Sequence, residues 1–362
     1  MEIAVLGGGH GCHAAAAELS ENGHRVRFWR RDAEALSVLA ESGCIRLVDF
    51  KGERDVPIPL ITSDLKVAVS GAKLIVIPLP STTHASLANQ LAPHLADGQV
   101  IYLPPGTFGS YIFLKAVQQA GARAEVSAAE TGTLPYLARK HGANRVVVSG
   151  YGKRLPTGVF PVRNSEHAWS VISQAYPAME KCEDALSGAL MNAGGIIHPP
   201  LIMMNAGPLE HFDHWDIHNE GTQPSIRRVT DALDAERIAL RVALGYNAPH
   251  FPLADHYAKE GDEWMYGRGA HEKLTDSGDW REHIVLTEHR YMLEDTRYGL
   301  SLLVSLGKWL NVPTPVAAGF LSIASAIVGR DLYQEGRTLE SLGLDKLSRS
   351  QMHDLLQNGW AV

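Results

Sequence analysis

Three groups of residues in this 362-residue chain have the types and spacing to do chemistry. The first is the glycine turn Gly7-Gly8-Gly9-His10-Gly11-Cys12. Such a turn between a strand and a helix lets backbone N–H groups approach a phosphate at the positive end of the helix. In this pattern Gly7 makes the tight turn, Gly9 admits the pyrophosphate, and Cys12 stands where a third glycine usually packs helix against strand. Gly7, Gly9, His10, Gly11 and Cys12 are therefore expected against a dinucleotide. The strand that follows ends in Trp29-Arg30-Arg31-Asp32. An acidic residue at that point accepts ribose hydroxyls, whereas a guanidinium pairs with a 2′-phosphate. Arg30 and Arg31 predict that NADP(H) is preferred, with NAD(H) accepted. The competing reading leaves both arginines solvated and gives the ribose of NAD to Asp32.

The second group sits where apolar runs end. Pro78-Leu79-Pro80-Ser81-Thr82-Thr83-His84 follows Leu74–Ile77, and Pro104-Pro105-Gly106-Thr107 follows Gln99–Leu103. Open α/β sheets bind ligands at such strand ends, so Pro80, His84, Pro105, Gly106 and Thr107 are expected to line the nicotinamide side. The third group lies beyond residue 185, in Asn192…His198-Pro199 and Arg290-Tyr-Met-Leu-Glu-Asp295. On spacing alone, a histidine in an apolar stretch before two prolines is more often structural. His211, His214 and His218 fall at i, i+3 and i+7, one face of a helix if the segment is helical. Three imidazoles could ligate zinc, but the spacing is not a zinc pattern, and no metal is expected.

These groups need elements to position them. Glu2–Leu6 reads as a buried strand, an alanine-rich helix follows from about Cys12 to Asn22, and Arg25–Trp29 reads as a second strand. Together they have the size of one βαβ unit. Further apolar runs at 74–77, 99–103 and 145–149 continue the alternation and imply a parallel sheet covered on both faces. After about residue 185 helical spacing takes over, as in Ala232–Leu244 and Leu300–Leu310. The expected fold class is α/β: a Rossmann-type doubly wound domain at residues 1–184, then an all-α domain at residues 185–362. The stretch from about Ala258 to Glu282, rich in Gly, Asp and Glu, reads as irregular. With 45% hydrophobic and 20% charged residues the mixture is globular, and a net charge of -7 argues against nucleic acid. Three scattered cysteines without a CxxC pair suit a reducing, cytoplasmic setting. The strand beginning at Glu2 leaves no room for a signal peptide, and no apolar run has the roughly 18 residues of a membrane helix.

With these residues in hand the chain resembles the opine dehydrogenases. The resemblance runs along nearly all of it: the glycine turn, Pro80 with His84, Pro105-Gly106, Glu130-Thr131, Asn192…His198-Pro199 and Asp234-Ala-Glu-Arg237. It continues through Arg290-Tyr…Glu294-Asp295…Gly299-Leu, Asn311-Val-Pro-Thr-Pro315 and Glu335-Gly-Arg-Thr-Leu-Glu340. It implies an NAD(P)H-dependent enzyme that condenses an amino acid with a 2-oxo acid and reduces the resulting imine. It further implies that His198 is the catalytic histidine, Asp295 its acidic partner and Arg290 a ligand of the substrate carboxylate. Glu130, Thr131, Asn192, Asn205, His211 and His214 are expected to touch substrate. Two departures stand out: Gly194 occupies a position that is often Asn in the family, and Arg30 replaces an acidic residue found in NAD-using relatives. A homodimer is the expected assembly. The alternative activity is an NADPH-dependent carbonyl reductase of the same architecture that uses no amine; such enzymes use a lysine acid, and no comparable lysine motif is evident.

Overall fold

The first strand, β1 (Glu2–Leu6), is apolar and almost fully buried, and it delivers the chain to the glycine turn. The computed structural model describes residues 1–258, 260, 263–276 and 278–360. The remaining strands follow in chain order: β2 (Arg25–Trp29), β3 (Cys44–Asp49), β4 (Gly52–Pro57), β5 (Leu60–Thr62), β6 (Leu74–Val76) and β7 (Val100–Leu103). Then come β8 (Ser127–Thr131), β9 (Tyr136–His141), β10 (Arg145–Tyr151), β11 (Leu155–Phe160) and β12 (Met179–Lys181). Eight of them form one sheet in the order β12-β11-β8-β7-β6-β1-β2-β5. All its pairings are parallel except β8 with β11. The order reverses at β1, which has β2 on one side and β6 on the other, so the glycine turn sits at the switch point where such sheets bind ligands.

Burial explains the strand composition. Leu74, Ile75 and Val76, and likewise Val100 to Leu103, are fully buried on both faces. Each such Val, Leu or Ile side chain contributes roughly 1.5–3 kcal/mol. The first helix, His10–Glu21, buries Ala14 to Ala17, whose methyl groups let it lie close to the sheet.

The run 145–149 is a strand, but it belongs to a second, four-stranded sheet ordered β4-β3-β10-β9, not to the parallel sheet. Val146 and Val148 are buried while Arg145 and Val147 are only half-buried, the alternation of a strand covered on one face. This small sheet is fastened to the end of the first helix by charge. Arg54 on β4 donates to both oxygens of Glu21 and, at 2.7 and 3.0 Å, to Asp49, which also accepts from the Tyr151 hydroxyl at 2.6 Å. Arg54 holds the Glu21 carboxyl down at about 2. Burial pushes Asp49 up, but Arg54 and Tyr151 outweigh it and hold it at about 2 as well. Carboxyls depressed in the folded state stabilise above their ordinary range and lose that contribution as pH falls through the folded values. Arg54→Met is therefore expected to cost about 2 kcal/mol at neutral pH. The gap to the unmodified protein in urea midpoint should narrow between pH 4.5 and pH 2, and a gap independent of pH would contradict this assignment.

The chain divides into two compact units, Met1–Ala189 joined by the residues from Leu355 onward, and Leu190–Asp354. The first unit thus runs beyond the expected end at 184 and takes in a C-terminal segment. Two contacts account for the difference. Gly158 on β11 lies against Asp184 and Ala185 so closely that a Cβ there would fall 2.0 Å from the Asp184 carbonyl oxygen. Trp360 packs on Tyr111 and Phe160 at 5.4 and 5.0 Å. The second unit is helical, with no strand among its described residues. Pro224–Leu244 and Ser301–Leu310 are its helices of clear apolar spacing. Within the stretch expected to be irregular, Ala270–Asp276 is a short helix, and residues 259, 261, 262 and 277 lie outside the described residues. Among the described residues no helix is long and apolar enough to cross a membrane.

Candidate active site

The glycine turn has the geometry a dinucleotide needs. Gly7 has φ +123°, a conformation open only to glycine, and a Cβ on it would strike Leu79 at 2.4 Å and the Cys12 sulfur at 2.7 Å. A Cβ on Gly9 would meet nothing within 4 Å, so the first turn of the helix is open on that side. Gly9 caps the helix with no side-chain hydrogen bond, leaving backbone N–H groups for an anion. These residues fit a pyrophosphate. Gly11 is also closely packed, since a Cβ there would fall 2.7 Å from Leu134 in the connection between β8 and β9. Cys12 is buried, its sulfur near the Leu6 and Pro78 carbonyl oxygens, and burial pushes its thiol up to about 12, so it stays a packed thiol. His13, not singled out from sequence, places its two ring nitrogens 3.0 and 3.1 Å from the carbonyl oxygens of Gly9 and Ala143, and as a neutral imidazole donates to one of them. Burial lowers it to about 4.

At the end of β2 the half-buried Arg30 donates to the Ala35 carbonyl at 3.1 Å. Arg31 and Asp32 are exposed, and one Asp32 oxygen accepts the Ala35 N–H at 3.0 Å, which makes it part of a turn. Pro80 is exposed and Pro105 half-buried at the two strand ends.

Other residues expected at the ligand lie buried. His84 is fully buried with its ring against Gly109, where a Cβ would fall 2.3 Å from Nδ1. Glu130 and Thr131 are fully buried on β8. The Glu130 carboxylate accepts from the N–H groups of Phe108 and Ser110, the latter at 3.1 Å, and from the Ser110 hydroxyl. It thereby fixes the Pro104–Phe108 loop, which carries a cis Pro104-Pro105 bond and positive φ at Thr107 and Phe108. Gly106 is required by the same packing, because a Cβ would meet the carboxylate at 2.3 Å. Thr107 is buried in that loop. The Thr131 hydroxyl donates to the Pro156 carbonyl at 2.8 Å.

In the second unit, His198 lies inside the helix Gly194–Met203. Asp295 lies in Tyr291–Leu300, a π-helix, a wide-turned form that is frequent at functional sites. The two helices touch backbone to backbone: a Cβ on Gly299 would fall 3.0 Å from the Gly195 Cα. That approach places the His198 Nδ1 2.8 Å from the Asp295 carboxylate. A Cβ on Gly194 would fall 2.6 Å from an Asp295 oxygen, so the glycine at this position leaves the carboxylate its room. Gly299→Ala should separate the helices, costing about 1–3 kcal/mol as an overpacked contact. An unchanged urea midpoint would contradict that.

Asp295 is buried, which pushes its carboxyl up, but His198 and then Arg290 outweigh the effect and hold it below the ordinary range. An ionised carboxylate only accepts, so Nδ1 carries the hydrogen and Nε2 is the nitrogen that can take a proton. Tyr291 stacks on the imidazole, with ring centroids 3.7 Å apart and planes 17° from parallel. His218 lies at 6.1 Å, edge-on, and Trp280 lies 5.8 Å from His218. The sequence singles out His218 only within the set His211, His214 and His218, and does not mark Tyr291 or Trp280 as site residues; for Tyr291 the available signal is its place between Arg290 and Asp295. Arg290 pairs with Glu294 at 3.5 Å and its side chain is 52% exposed, so the guanidinium remains reachable.

The remaining substrate expectations divide. Asn192 is buried and accepts the Gly194 N–H at 2.9 Å, which starts the His198 helix. Asn205 is buried, donating to the Leu201 and Gly221 carbonyls and accepting from the Trp215 indole, so it pins a loop and is used up. The shared face of His211, His214 and His218 does not exist. The helix ends at His211, Phe212 is extended, His214 is exposed, and His218 is buried.

Comparison with known proteins fits this geometry. A family model described as NAD/NADP octopine/nopaline dehydrogenase, alpha-helical domain, matches residues 181–328. One described as NAD-dependent glycerol-3-phosphate dehydrogenase N-terminus matches residues 2–106. The chain is 30% identical over 360 residues to an opine dehydrogenase of Arthrobacter sp. (strain 1C), covering 98% of each chain. An octopine dehydrogenase structure, in complex with NADH and agmatine, superposes with TM-score 0.70 at 17% identity, covering 96% of this chain and 99% of that one. A yersinopine dehydrogenase structure with NADP+ bound gives TM-score 0.62 at 15% identity, covering 97% and 95%. At those identities the two structures speak for the fold.

Proposed function

The chain belongs to the opine dehydrogenase family, and from that premise we propose that His198, Asp295 and Arg290 carry its reaction. The reaction is an NAD(P)H-dependent reductive condensation. An amine and a 2-oxo acid lose water to form an imine, which is reduced to a secondary amine. A dinucleotide held at the glycine turn would supply the hydride for that reduction.

The protein's own part is proton management and placement. As the amine nitrogen adds to the carbonyl carbon, His198 Nε2 takes the proton that the nitrogen releases. That proton goes to the carbonyl oxygen, making the carbinolamine hydroxyl; the imidazole then takes one proton from solvent and gives it to this hydroxyl, which leaves as water and yields the protonated imine, so the imidazole ends as it began. Asp295 accepts from Nδ1 throughout, fixing the tautomer and stabilising the imidazolium between the two transfers. Tyr291 holds the ring plane. Arg290 presents a guanidinium to the oxo acid carboxylate, a bidentate match that orients the reacting carbon. The 2.8 Å His198–Asp295 pair in the helical unit is the observation that carries this reading.

NADPH is the preferred reductant in this reading, with NADH accepted. The support is Arg30 beside the glycine turn, while one oxygen of Asp32, the competing ribose acceptor, already accepts from its own turn. We place the enzyme in the cytoplasm, where this reductant is supplied, and as a homodimer whose mass in solution can be measured. Its three cysteines are free.

The test is a matrix of amino acids against pyruvate, glyoxylate and 2-oxoglutarate, read as NADPH oxidation. Oxidation that requires both partners is expected. Oxidation with oxo acid alone would instead identify a carbonyl reductase.

A further inference from the structure

The second sheet brings an unexpected cation to the glycine turn. Lys140 stands on β9, more than a hundred residues from the turn, yet its ammonium donates to the Gly8 carbonyl at 3.4 Å. Its backbone N–H donates to His10 Nδ1 at 2.8 Å, which fixes the strand over the start of the helix. Arg30 reaches the same residue from β2: a Cβ on Gly8 would fall 2.7 Å from its Cδ and 2.9 Å from its Nε. Two cations thus converge on one glycine, and among the described residues neither has a carboxylate ion-pair partner.

We propose that Lys140, carried in on the inserted sheet, joins Arg30 in binding the 2′-phosphate of NADPH. The inference rests on the NADPH preference proposed above and names the second ligand of that phosphate. In doubly wound sheets the adenosine ribose sits at the end of the second strand, where Arg30 stands. A phosphate monoester brings nearly two negative charges and several acceptor oxygens, enough for a guanidinium and an ammonium together. A free ribose hydroxyl brings no charge and gains nothing from a second cation. Repulsion between the two side chains is consistent with the site: burial, then Arg30, lowers the Lys140 ammonium below its ordinary value. An anion between them relieves that repulsion.

The test uses the full chain and binding alone, by calorimetry with 2′,5′-ADP and 5′-AMP. The unmodified protein should bind 2′,5′-ADP at least ~10-fold more tightly. Lys140→Met should weaken 2′,5′-ADP by at least ~10-fold and 5′-AMP by less than ~2-fold, while Lys140→Arg should keep most of the affinity. Lys140→Gln serves if the methionine variant does not fold. Equal weakening of both ligands, or of neither, while the unmodified protein still prefers 2′,5′-ADP, would overturn the role of Lys140 and leave the NADPH reading standing. No preference in the unmodified protein would overturn the NADPH reading, and this inference with it.

Discussion

His198→Ala lowers kcat by at least ~100-fold, the scale of lost acid–base assistance. The expectation follows from position. His198 offers the one ring nitrogen not used by Asp295, and alanine can neither take the amine proton nor give one to the leaving hydroxyl. The dinucleotide turn lies in the other unit, so the Kd for NADPH should stay within about 2-fold. That split separates a catalytic loss from a damaged fold. A near-normal kcat would remove His198 from the mechanism.

Asp295→Asn produces the second large effect, a fall in kcat of roughly 10²–10⁴-fold. The side chain keeps its shape but loses the charge that stabilises the imidazolium. Its amide can also donate to Nδ1, which pushes the hydrogen onto Nε2 and leaves the ring in the wrong tautomer. Because His198 and Arg290 hold the Asp295 carboxyl below the ordinary range, the native residue is ionised throughout neutral pH. The variant's deficit should therefore persist across that range and shrink only on the acid side, where the native carboxylate itself takes up a proton. The double variant His198→Ala/Asp295→Asn should be little worse than His198→Ala, since a partner without its imidazole has nothing left to orient. Additive losses would mean that Asp295 acts separately from His198.

The parts of this molecule legible in its sequence are the local ones. Glu2–Leu6, the glycine turn, the alanine-rich helix and Arg25–Trp29 follow one another within thirty residues, and each carries its own pattern. His198, Asp295 and Arg290 were reached through resemblance, because the contact between the first two depends on a meeting of Gly195 and Gly299 that spacing does not announce. The π-helix around Asp295 has a wider turn than the 3.6-residue period used to read helices. The second sheet was hidden because β3 pairs with β10 across about a hundred residues, and its strand Arg145–Tyr151 reads like any apolar run. His84 is expected from its place after a strand and Glu130 from the resemblance, yet neither reveals that the Glu130 carboxylate on β8 accepts from the backbone of a loop some twenty residues earlier. Lys140 escaped for the same reason as the sheet that carries it.

The central claim is that the protein joins an amine to a 2-oxo acid and reduces the bond so formed. The most direct measurement follows the reaction by mass spectrometry, with NADPH carrying deuterium at the transferred position. The account predicts one product with the atoms of amine and oxo acid less one oxygen, in which a single deuterium takes the place of hydrogen on the former carbonyl carbon. A deuterated hydroxy acid, formed whether or not the amine is present, would contradict it.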